Sequence, residues 1–305
     1  MNYELKISNA IEDNGKIDLT RLTSIAESIN KIAEGALQIR LKGISLTKGR
    51  KKESLKRSLK VTLSGLEKGS TILKLESEKF KDTLNHIQLD IFKSESQVDL
   101  QEQTPISLFV SSFKEVTEKN GKSDLLDKTL LKELKGFKKA FLNDNERFVI
   151  SNEGSFDLLE LDKKSFDKIN ILEEETPSSE PVILNGIVEE LKYSKLRVKI
   201  ITPDGTINGF LSDELSAEDI SPYWGKEITI TGINHYKSNK TSIIEIKRIH
   251  KPSLVDSYFS KKAKNSLSVE NQIKSQADKK STNRLSEIIG KWPDEEKFED
   301  LVKML

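Results

Sequence analysis

Two runs of sequence decide the fold of the second half of the chain: Val182-Ile-Leu-Asn-Gly-Ile-Val188 and Leu196-Arg-Val-Lys-Ile-Ile201. Both are rich in β-branched residues, and the second alternates apolar and polar side chains, as a strand with one buried face does. We therefore predict two antiparallel strands joined by a hairpin connection over Lys192–Lys195. Gly186 lies inside the first strand, where it predicts a bulge or a sharp bend.

The same stretch contains the signals of one helix and three more strands. Pro203-Asp-Gly205 predicts a turn, because proline presets φ and glycine accepts a positive φ. Ser212 and the acidic residues after it predict the N-cap and first turn of a short helix, which ends before Pro222. The remaining strands are predicted at 206–211, 227–232 and 242–249.

Five strands with a helix between the third and the fourth is the order of elements in an OB-type barrel. We expect Tyr223 and Trp224 to fill the barrel end beside the helix. The resemblance is one of element order, and no family motif accompanies it. The sequence therefore defines no family, and a fold alone gives no function.

The predicted fold class is α+β: a mixed α+β N-terminal domain, a small five-stranded OB-like β-barrel and a tethered C-terminal amphipathic helix. Polar, proline-containing composition marks one linker, and a composition rich in Ser, Lys, Asn and Gln marks a second, flexible one. The predicted boundaries are 1–172 for the N-terminal domain, 173–181 for the linker, 182–251 for the barrel, 252–282 for the flexible linker and 283–305 for the C-terminal segment.

The N-terminal domain begins with an alternating strand at Tyr3–Ile7. A helix follows, with Asp18 as its N-cap and Gly43 as its C-cap, because the apolar residues between them recur at helical spacing. Its buried stripe is predicted to comprise Ile25, Ile29, Ile32, Ala36 and Ile39. Later patterns predict a hairpin of strands 59–63 and 71–75, helices between 80 and 142, and a second hairpin of strands 147–150 and 156–161.

Composition excludes several classes of protein. The chain has 305 residues, no cysteine and a net charge of +1 from 50 basic and 49 acidic residues. The lack of cysteine excludes disulfides, thiolate metal sites and cysteine nucleophiles. No run stays apolar over the ~20 residues that a membrane span needs, and the N-terminus lacks a secretion signal. We expect a cytoplasmic protein without a cofactor, from a bacterium whose AT-rich genome explains the abundance of Lys, Ile, Asn and Ser.

The strongest local feature is a basic run. Between Arg40 and Lys68, ten basic residues face only Glu53 and Glu67, which gives a local charge of +8. Clusters of Lys and Arg bind phosphates and release counterions. An acidic protein partner or a solvated loop would explain the same run. We predict contact with DNA or RNA through Lys48, Arg50, Lys51, Lys52, Lys56 and Arg57.

The barrel is the second predicted nucleic-acid surface, because OB barrels bind single strands by stacking bases on aromatic side chains in a basic groove. The electrostatic attraction is weak, since residues 182–251 carry ten basic and nine acidic side chains. Some of the aromatic residues are equally well explained as barrel core. The predicted contacts are Lys195, Arg197, Tyr236 and Lys237, with Tyr193, Phe210 and Lys199 as further candidates.

No motif of catalysis or metal binding accompanies these features. Of the three histidines, His86, His235 and His250, only the last two are predicted to lie close enough to converge. No acidic residue stands at a recognisable spacing from them. The segment Gly65–Gly69 lacks the Gly-Lys pair of a phosphate-binding loop. We therefore predict a protein that is not an enzyme and that holds no metal.

The C-terminal segment gives an alternative hypothesis. Its apolar residues Trp292, Phe298, Leu301 and Val302 follow a flexible tether. Such an amphipathic peptide docks in a groove of a partner protein or of its own chain. The leading hypothesis is a non-enzymatic bacterial cytoplasmic binding protein that engages nucleic acid. The alternative is a protein-interaction adaptor or inhibitor, such as an antitoxin-like protein or a defence-system accessory.

Overall fold

The computed structural model describes residues 1–10, 15–45, 53–67, 71–84, 98–118, 121–152, 157–193, 196–253 and 256–260. All of them belong to one unit of the chain, Met1–Lys262. This unit contains helices and two sheets, and one of the sheets closes into a five-stranded barrel. The predicted α+β class with a barrel is confirmed at this level. The predicted helix at 283–305 lies outside the described residues.

The N-terminal sheet has five antiparallel strands in the order β2-β3-β1-β4-β5. Its strands are β1 (Asn2–Ser8), β2 (Val61–Glu67), β3 (Thr71–Ser77), β4 (Arg147–Asn152) and β5 (Asp157–Leu161). Burial alternates along β1, where Tyr3, Leu5 and Ile7 are buried and their neighbours are not. One face of the sheet therefore carries the core. The opening strand and both predicted hairpins are confirmed.

The helices that accompany this sheet include those that the sequence signals predicted and two that they missed, α2 and α7. They are α1 (Leu19–Lys42), α2 (Glu53–Ser58), α3 (Phe80–Thr83), α4 (Val98–Glu102), α5 (Pro105–Thr117), α6 (Lys128–Gly136) and α7 (Ser165–Glu175), with a 3₁₀ turn at Phe137–Ala140. Both predicted caps of α1 are confirmed, since Asp18 accepts N–H bonds from Thr20 and Arg21 and Gly43 adopts a φ of 91°. None of the described helices has the length and apolar character needed to cross a membrane.

The core of the N-terminal region lies between the sheet and its helices. The predicted stripe of α1 is buried, and it joins the apolar face of the sheet in one cluster. Phenylalanine rings fill the centre of that cluster: Phe137 packs edge to face on Phe113 and on Phe148, with centroids 5.9 Å and 5.4 Å apart. Edge-to-face packing of this kind adds to the stability that burial of the rings provides.

The second sheet is the closed barrel. Its strands are β6 (Glu180–Lys192), β7 (Arg197–Thr202), β8 (Gly205–Leu211), β9 (Glu227–Tyr236) and β10 (Ser242–His250), and the helix α8 (Ala217–Ile220) lies between β8 and β9. The order around the barrel is β10-β8-β7-β6-β9. All neighbouring strands are antiparallel except β8 and β10, which are parallel. The barrel has an apolar core of its own, and its five predicted strands are confirmed.

Two glycines allow the barrel strands to approach one another closely. A Cβ on Gly186 would lie 2.5 Å from the carbonyl oxygen of Ile201, and a Cβ on Gly232 would lie 2.1 Å from that of Glu245. The register of β6 with β7 shifts further along, so the bulge of β6 is at Glu189. The prediction of a bulge at Gly186 was therefore wrong. Glycine is required there by close backbone packing.

The helix α8 begins at a different serine from the one that was predicted. Ser216 is its N-cap, and the Ser216 N–H donates to Asp219 Oδ2 at 2.8 Å in a capping box. Ser212 instead donates its backbone N–H to the carbonyl oxygen of Ile246 at 2.9 Å. The predicted N-cap was wrong because only the second serine has a carboxylate three residues later.

Trp224 does not fill the barrel end. Tyr223 packs partly buried against the barrel core, as predicted, but the Trp224 side chain is 69% exposed. The backbone of Trp224 pairs with Val188 on the barrel wall, and its indole Nε1 donates to the carbonyl oxygen of Glu189 at 3.1 Å. This pairing lays the indole along the outside of the barrel, so the prediction was wrong for Trp224.

The connection between the two sheets is shorter than the predicted linker at 173–181. The helix α7 ends at Glu175 and the strand β6 begins at Glu180. Between them, Thr176 is buried and its hydroxyl donates to the carbonyl oxygen of Leu172 at 2.7 Å. Most of the connection is therefore in regular structure or anchored to it.

The glycine packing predicts a matched pair of stability effects. Gly232→Ala places a methyl group against backbone that cannot move aside, so we expect a loss of ~3 kcal/mol in the free energy of unfolding. Gly136→Ala serves as the control, because apart from its chain neighbours and the nearby backbone of its own helix no atom lies within 4 Å of its Cβ position. In that helical site alanine is expected to stabilise the protein by ~0.5 kcal/mol. Urea denaturation followed by circular dichroism measures both, and equal midpoints for the two variants would contradict the packing.

Candidate functional site

The predicted basic segment is described only at its C-terminal end. Lys48, Arg50, Lys51 and Lys52 lie outside the described residues. Lys56 and Arg57 lie exposed on α2, and Lys60 follows, also exposed, just before β2. The Lys56 ammonium lies 3.8 Å from the Glu53 carboxylate one turn earlier, an exposed pair that solvent screens. This end of the segment therefore presents positive charge to solvent.

Two other cations of the +8 run have partners elsewhere in the molecule. Arg40 donates to the carbonyl oxygen of Ala36 at 3.1 Å and to the Ser111 hydroxyl at 3.3 Å. The Lys42 ammonium lies 3.5 Å from the Asp213 carboxylate in the barrel. The Lys42–Asp213 pair is exposed and solvent screens it, so Lys42, Lys56, Arg57 and Lys60 all keep positive charge at the surface.

The predicted barrel contacts Tyr236 and Lys237 lie at the junction between the barrel and the N-terminal region. Only 3% of Tyr236 and 5% of Lys237 is exposed. The Lys237 ammonium donates to the carbonyl oxygen of Gly43, the C-cap of α1, and lies 3.8 Å from Asp127 Oδ2. A ligand cannot reach either side chain without opening this junction. The structure therefore removes both residues from the surface that the nucleic-acid hypothesis requires.

Asp127 connects three segments at this junction. It is the N-cap of α6, where Oδ1 accepts the Leu130 N–H at 2.9 Å. The same carboxylate accepts the N–H of Ser45 at 2.8 Å and the hydroxyl of Ser45 at 2.5 Å. It also faces the Lys237 ammonium. One carboxylate thus fixes the start of α6, the chain after α1 and the β9–β10 connection.

Ser238 holds the same connection from the other side. Its backbone N–H donates to the carbonyl oxygen of Leu126 at 2.9 Å. Its hydroxyl contacts the carbonyl oxygens of Ser123, at 2.9 Å, and of Gly121. Gly121 adopts a φ of +68°, and a Cβ there would lie 2.1 Å from a methyl group of Leu172. The loop that receives Ser238 is therefore itself fixed by packing.

Burial shifts the proton affinities of both junction residues. Desolvation lowers the pKa of the Lys237 ammonium, and the Asp127 and Asp124 carboxylates offset this only in part. Desolvation, followed by the hydrogen bond that the Tyr236 hydroxyl donates to Glu180, raises the pKa of Tyr236 to about 12. Both shifts follow from the burial of the two side chains.

The other predicted barrel residues have different surroundings. Arg197 is half-buried, and desolvation lowers the pKa of its guanidinium. Phe210 is buried, as the core interpretation predicted. Lys199 is paired with the Glu190 carboxylate at 2.5 Å, while Tyr193 is 66% exposed. Lys195 lies outside the described residues. Of the described members of the predicted groove, Phe210, Tyr236 and Lys237 are buried and Lys199 is paired with a carboxylate.

His235 has the acidic neighbour that sequence spacing did not reveal. Its Nε2 lies 3.3 Å from Glu245 Oε2 on β10, and its Nδ1 lies 3.0 Å from the Ser179 hydroxyl. Its ring stacks on Phe210 with centroids 6.5 Å apart. These contacts fix the ring and tie the start of β6 to the β9–β10 hairpin. The His235 side chain on β9 thus contacts three segments: β10, β8 and the residue before β6.

The two barrel histidines do not converge. In the β9–β10 register His235 is opposite Ile243, whereas His250 is opposite Thr229 at the far end of the hairpin. The expectation that they are close neighbours was therefore wrong. His86 lies outside the described residues. Among the residues that the structure describes, no three His, Asp or Glu side chains are grouped as a metal ion would require.

A polar cleft of about 640 Å³ lies where β1 and β4 meet the loop before β4. Two asparagine side chains in it donate to backbone carbonyl oxygens: Asn9 Nδ2 donates to Asn145 at 3.0 Å, and Asn143 Nδ2 donates to Asn9 at 3.1 Å. Lys163 pairs with the Asp144 carboxylate at 2.7 Å and lowers its pKa. These bonds hold the turn after β1 against the loop before β4.

The predicted partner-binding residues Trp292, Phe298, Leu301 and Val302 lie outside the described residues. Comparison of the chain with protein-family models, with curated proteins and with solved structures finds no match. The functional argument therefore rests on the chain's own residues.

The junction predicts that two N-cap aspartates differ in their contribution to stability. Asp127→Ala leaves the buried Lys237 ammonium without its carboxylate and removes the cap of α6, so we expect a loss of ~3–5 kcal/mol in the free energy of unfolding. Asp18→Ala removes only an exposed cap of α1 and should cost much less. Urea denaturation of both variants measures the difference. Similar losses would show that Asp127 does no more than cap its helix.

Proposed function

We propose that this chain is a non-enzymatic binding protein whose ligand is nucleic acid, bound through the basic segment at 48–57. The observation that carries the proposal is the local charge of +8 between Arg40 and Lys68, in which Lys56 and Arg57 are exposed on α2. Because the chain as a whole is almost neutral, such a segment is the feature that attracts a polyanion.

We also infer that the barrel is OB-like. Numbered within the barrel, its strands follow the order 1-2-3-5-4 and close from the fourth back to the first, with the third and fifth parallel and a helix between the third and fourth. This arrangement supports the inference beyond the element order that the sequence supplies.

In this proposal the barrel does not offer the whole ligand-binding face that OB domains use. Such domains bind ligands on their second and third strands, between the first and the last hairpin loops. Here the last loop, with Lys237 and Ser238, is bonded to the N-terminal region. The half of the OB face next to that loop is therefore used within the molecule. We accordingly propose the basic segment, and not Tyr236 or Lys237, as the main nucleic-acid contact.

The alternative of a protein-interaction adaptor remains a second proposal. Its original support, the apolar C-terminal segment, lies outside the described residues. The near-neutral total charge is compatible with a protein partner.

Charge reversal tests the nucleic-acid proposal. In the full-length chain, Arg50, Lys51, Lys52 and Arg57 are replaced by glutamate, and binding of labelled single-stranded DNA, duplex DNA and RNA is followed by fluorescence anisotropy across salt concentrations. We expect salt-dependent binding by the wild type. The variant should lose it, since each lost phosphate contact reduces the salt slope on duplex DNA by ~0.9.

The control variant carries the same change in total charge at another place. It carries glutamate in place of Lys31, Lys132, Lys139 and Lys164. All four lysines are exposed and lie on helices or beside them. If it binds like the wild type, the effect belongs to the basic segment. Equal losses in both variants, or no binding by the wild type at low salt, would contradict the proposal.

A further inference from the structure

The strand β2 forms one edge of the N-terminal sheet. It pairs with β3 on one side, and no described strand pairs with it on the other. Its residues are exposed except for Val61 and Gly65, which are half-buried. The backbone N–H and C=O groups along such an edge are a template for a further strand.

Two leucines add apolar surface to this edge. Leu63 and Leu66 are 42% and 41% exposed. Their partners on β3, Leu75 and Leu73, are buried in the core. The two leucines therefore lie on the core face of the sheet, at its border. A strand added beside β2 would extend this face and cover part of them, which recovers free energy that their exposure costs.

A bulge makes the pattern of β2 symmetric about Leu63. Ser64 has no counterpart on β3, because Leu63 and Gly65 lie opposite consecutive residues of that strand. Leu63 and Ser64 thus share one position of the ladder. Counted in such positions, Val61 and Leu66 lie two positions to either side of Leu63, on the same face of the sheet. The apolar pattern therefore reads alike in both directions, as a two-fold contact between identical surfaces requires.

The charges follow the same symmetry with opposite sign. Lys60 lies three positions before Leu63 and Glu67 lies three positions after it, and both are exposed. In an antiparallel pair of two β2 strands, each Lys60 would be opposite Glu67 of the other copy. Glu67 also pairs with Lys74 of its own sheet at 2.5 Å, so it would lie between two lysines. Exposed pairs of this kind add little affinity, but they favour one register over others.

We propose that β2 is a dimerisation edge, along which a second copy of this chain adds its own β2 in antiparallel orientation. Leu63 would face Leu63 of the second copy on the two-fold axis, with Val61 opposite Leu66 on either side. The two sheets, of five strands each, would become one continuous sheet. A second copy fits this edge better than an unrelated extended peptide, because it carries the matching bulge, apolar positions and charges.

Sedimentation velocity of the full-length protein, free of nucleic acid and at increasing concentration, tests the proposal. We expect a reversible equilibrium between monomer and dimer. Leu63→Lys places two ammonium groups opposite each other on the axis and should weaken the dimer roughly tenfold or more. The matched control is Leu142→Lys, the same change at a leucine that is 48% exposed outside the sheet. It should sediment like the wild type.

Disulfide cross-linking tests the register, because the chain contains no cysteine of its own. Leu63→Cys should give a covalent dimer on mild oxidation, since the two thiols would face each other across the axis. Leu66→Cys is the matched control on the same strand, with nearly the same exposure. The two copies of that residue would lie four positions, about 14 Å, apart, which is too far for a disulfide.

Both cysteine changes are at exposed side chains, so both variants are expected to fold, and they keep the test decisive if Leu63→Lys does not. A wild type that stays monomeric would overturn the proposal. A dimer that Leu63→Lys leaves intact, or equal cross-linking of Leu63→Cys and Leu66→Cys, would overturn it as well.

Discussion

The structure depends on the burial of one ammonium group, that of Lys237. Taking a charge out of water costs several kcal/mol unless it is paired and hydrogen-bonded. The cost is offset in part by the Gly43 carbonyl oxygen at the end of α1 and by the carboxylate of Asp127 at the start of α6. Because the two helix termini must stand together to receive the lysine, the β9–β10 connection of the barrel is held in a defined position on the N-terminal region.

This constraint decides which surfaces are left for function. The loop that an OB-like barrel would use for a ligand carries Lys237 and Ser238, and both are bonded within the molecule. On the described residues, the end of the basic segment on α2 stays exposed, and its charge favours a polyanion.

Local signals in the sequence predicted the strands, the turn at 203–205 and the caps of α1, because each depends on neighbours along the chain. The same capping rule, applied to both serines of the stretch, selects Ser216 as the helix start, because only Ser216 has a carboxylate three residues later. The junction could not be predicted in this way. Lys237 meets Gly43 across 194 residues, and no spacing encodes such a contact. A lysine in a polar hairpin loop therefore resembled a surface cation.

Native-state hydrogen exchange tests the central claim that the junction joins the barrel and the N-terminal region into a single cooperative structure. The informative amides are those of Ser238, which donates to Leu126, and of Ser45, which donates to Asp127. If the claim is right, both are protected as strongly as a central β9 amide such as that of Ile230, and all exchange only through global unfolding. Rapid exchange of Ser238 and Ser45 while Ile230 stays protected would mean that the junction opens independently, which would contradict the account.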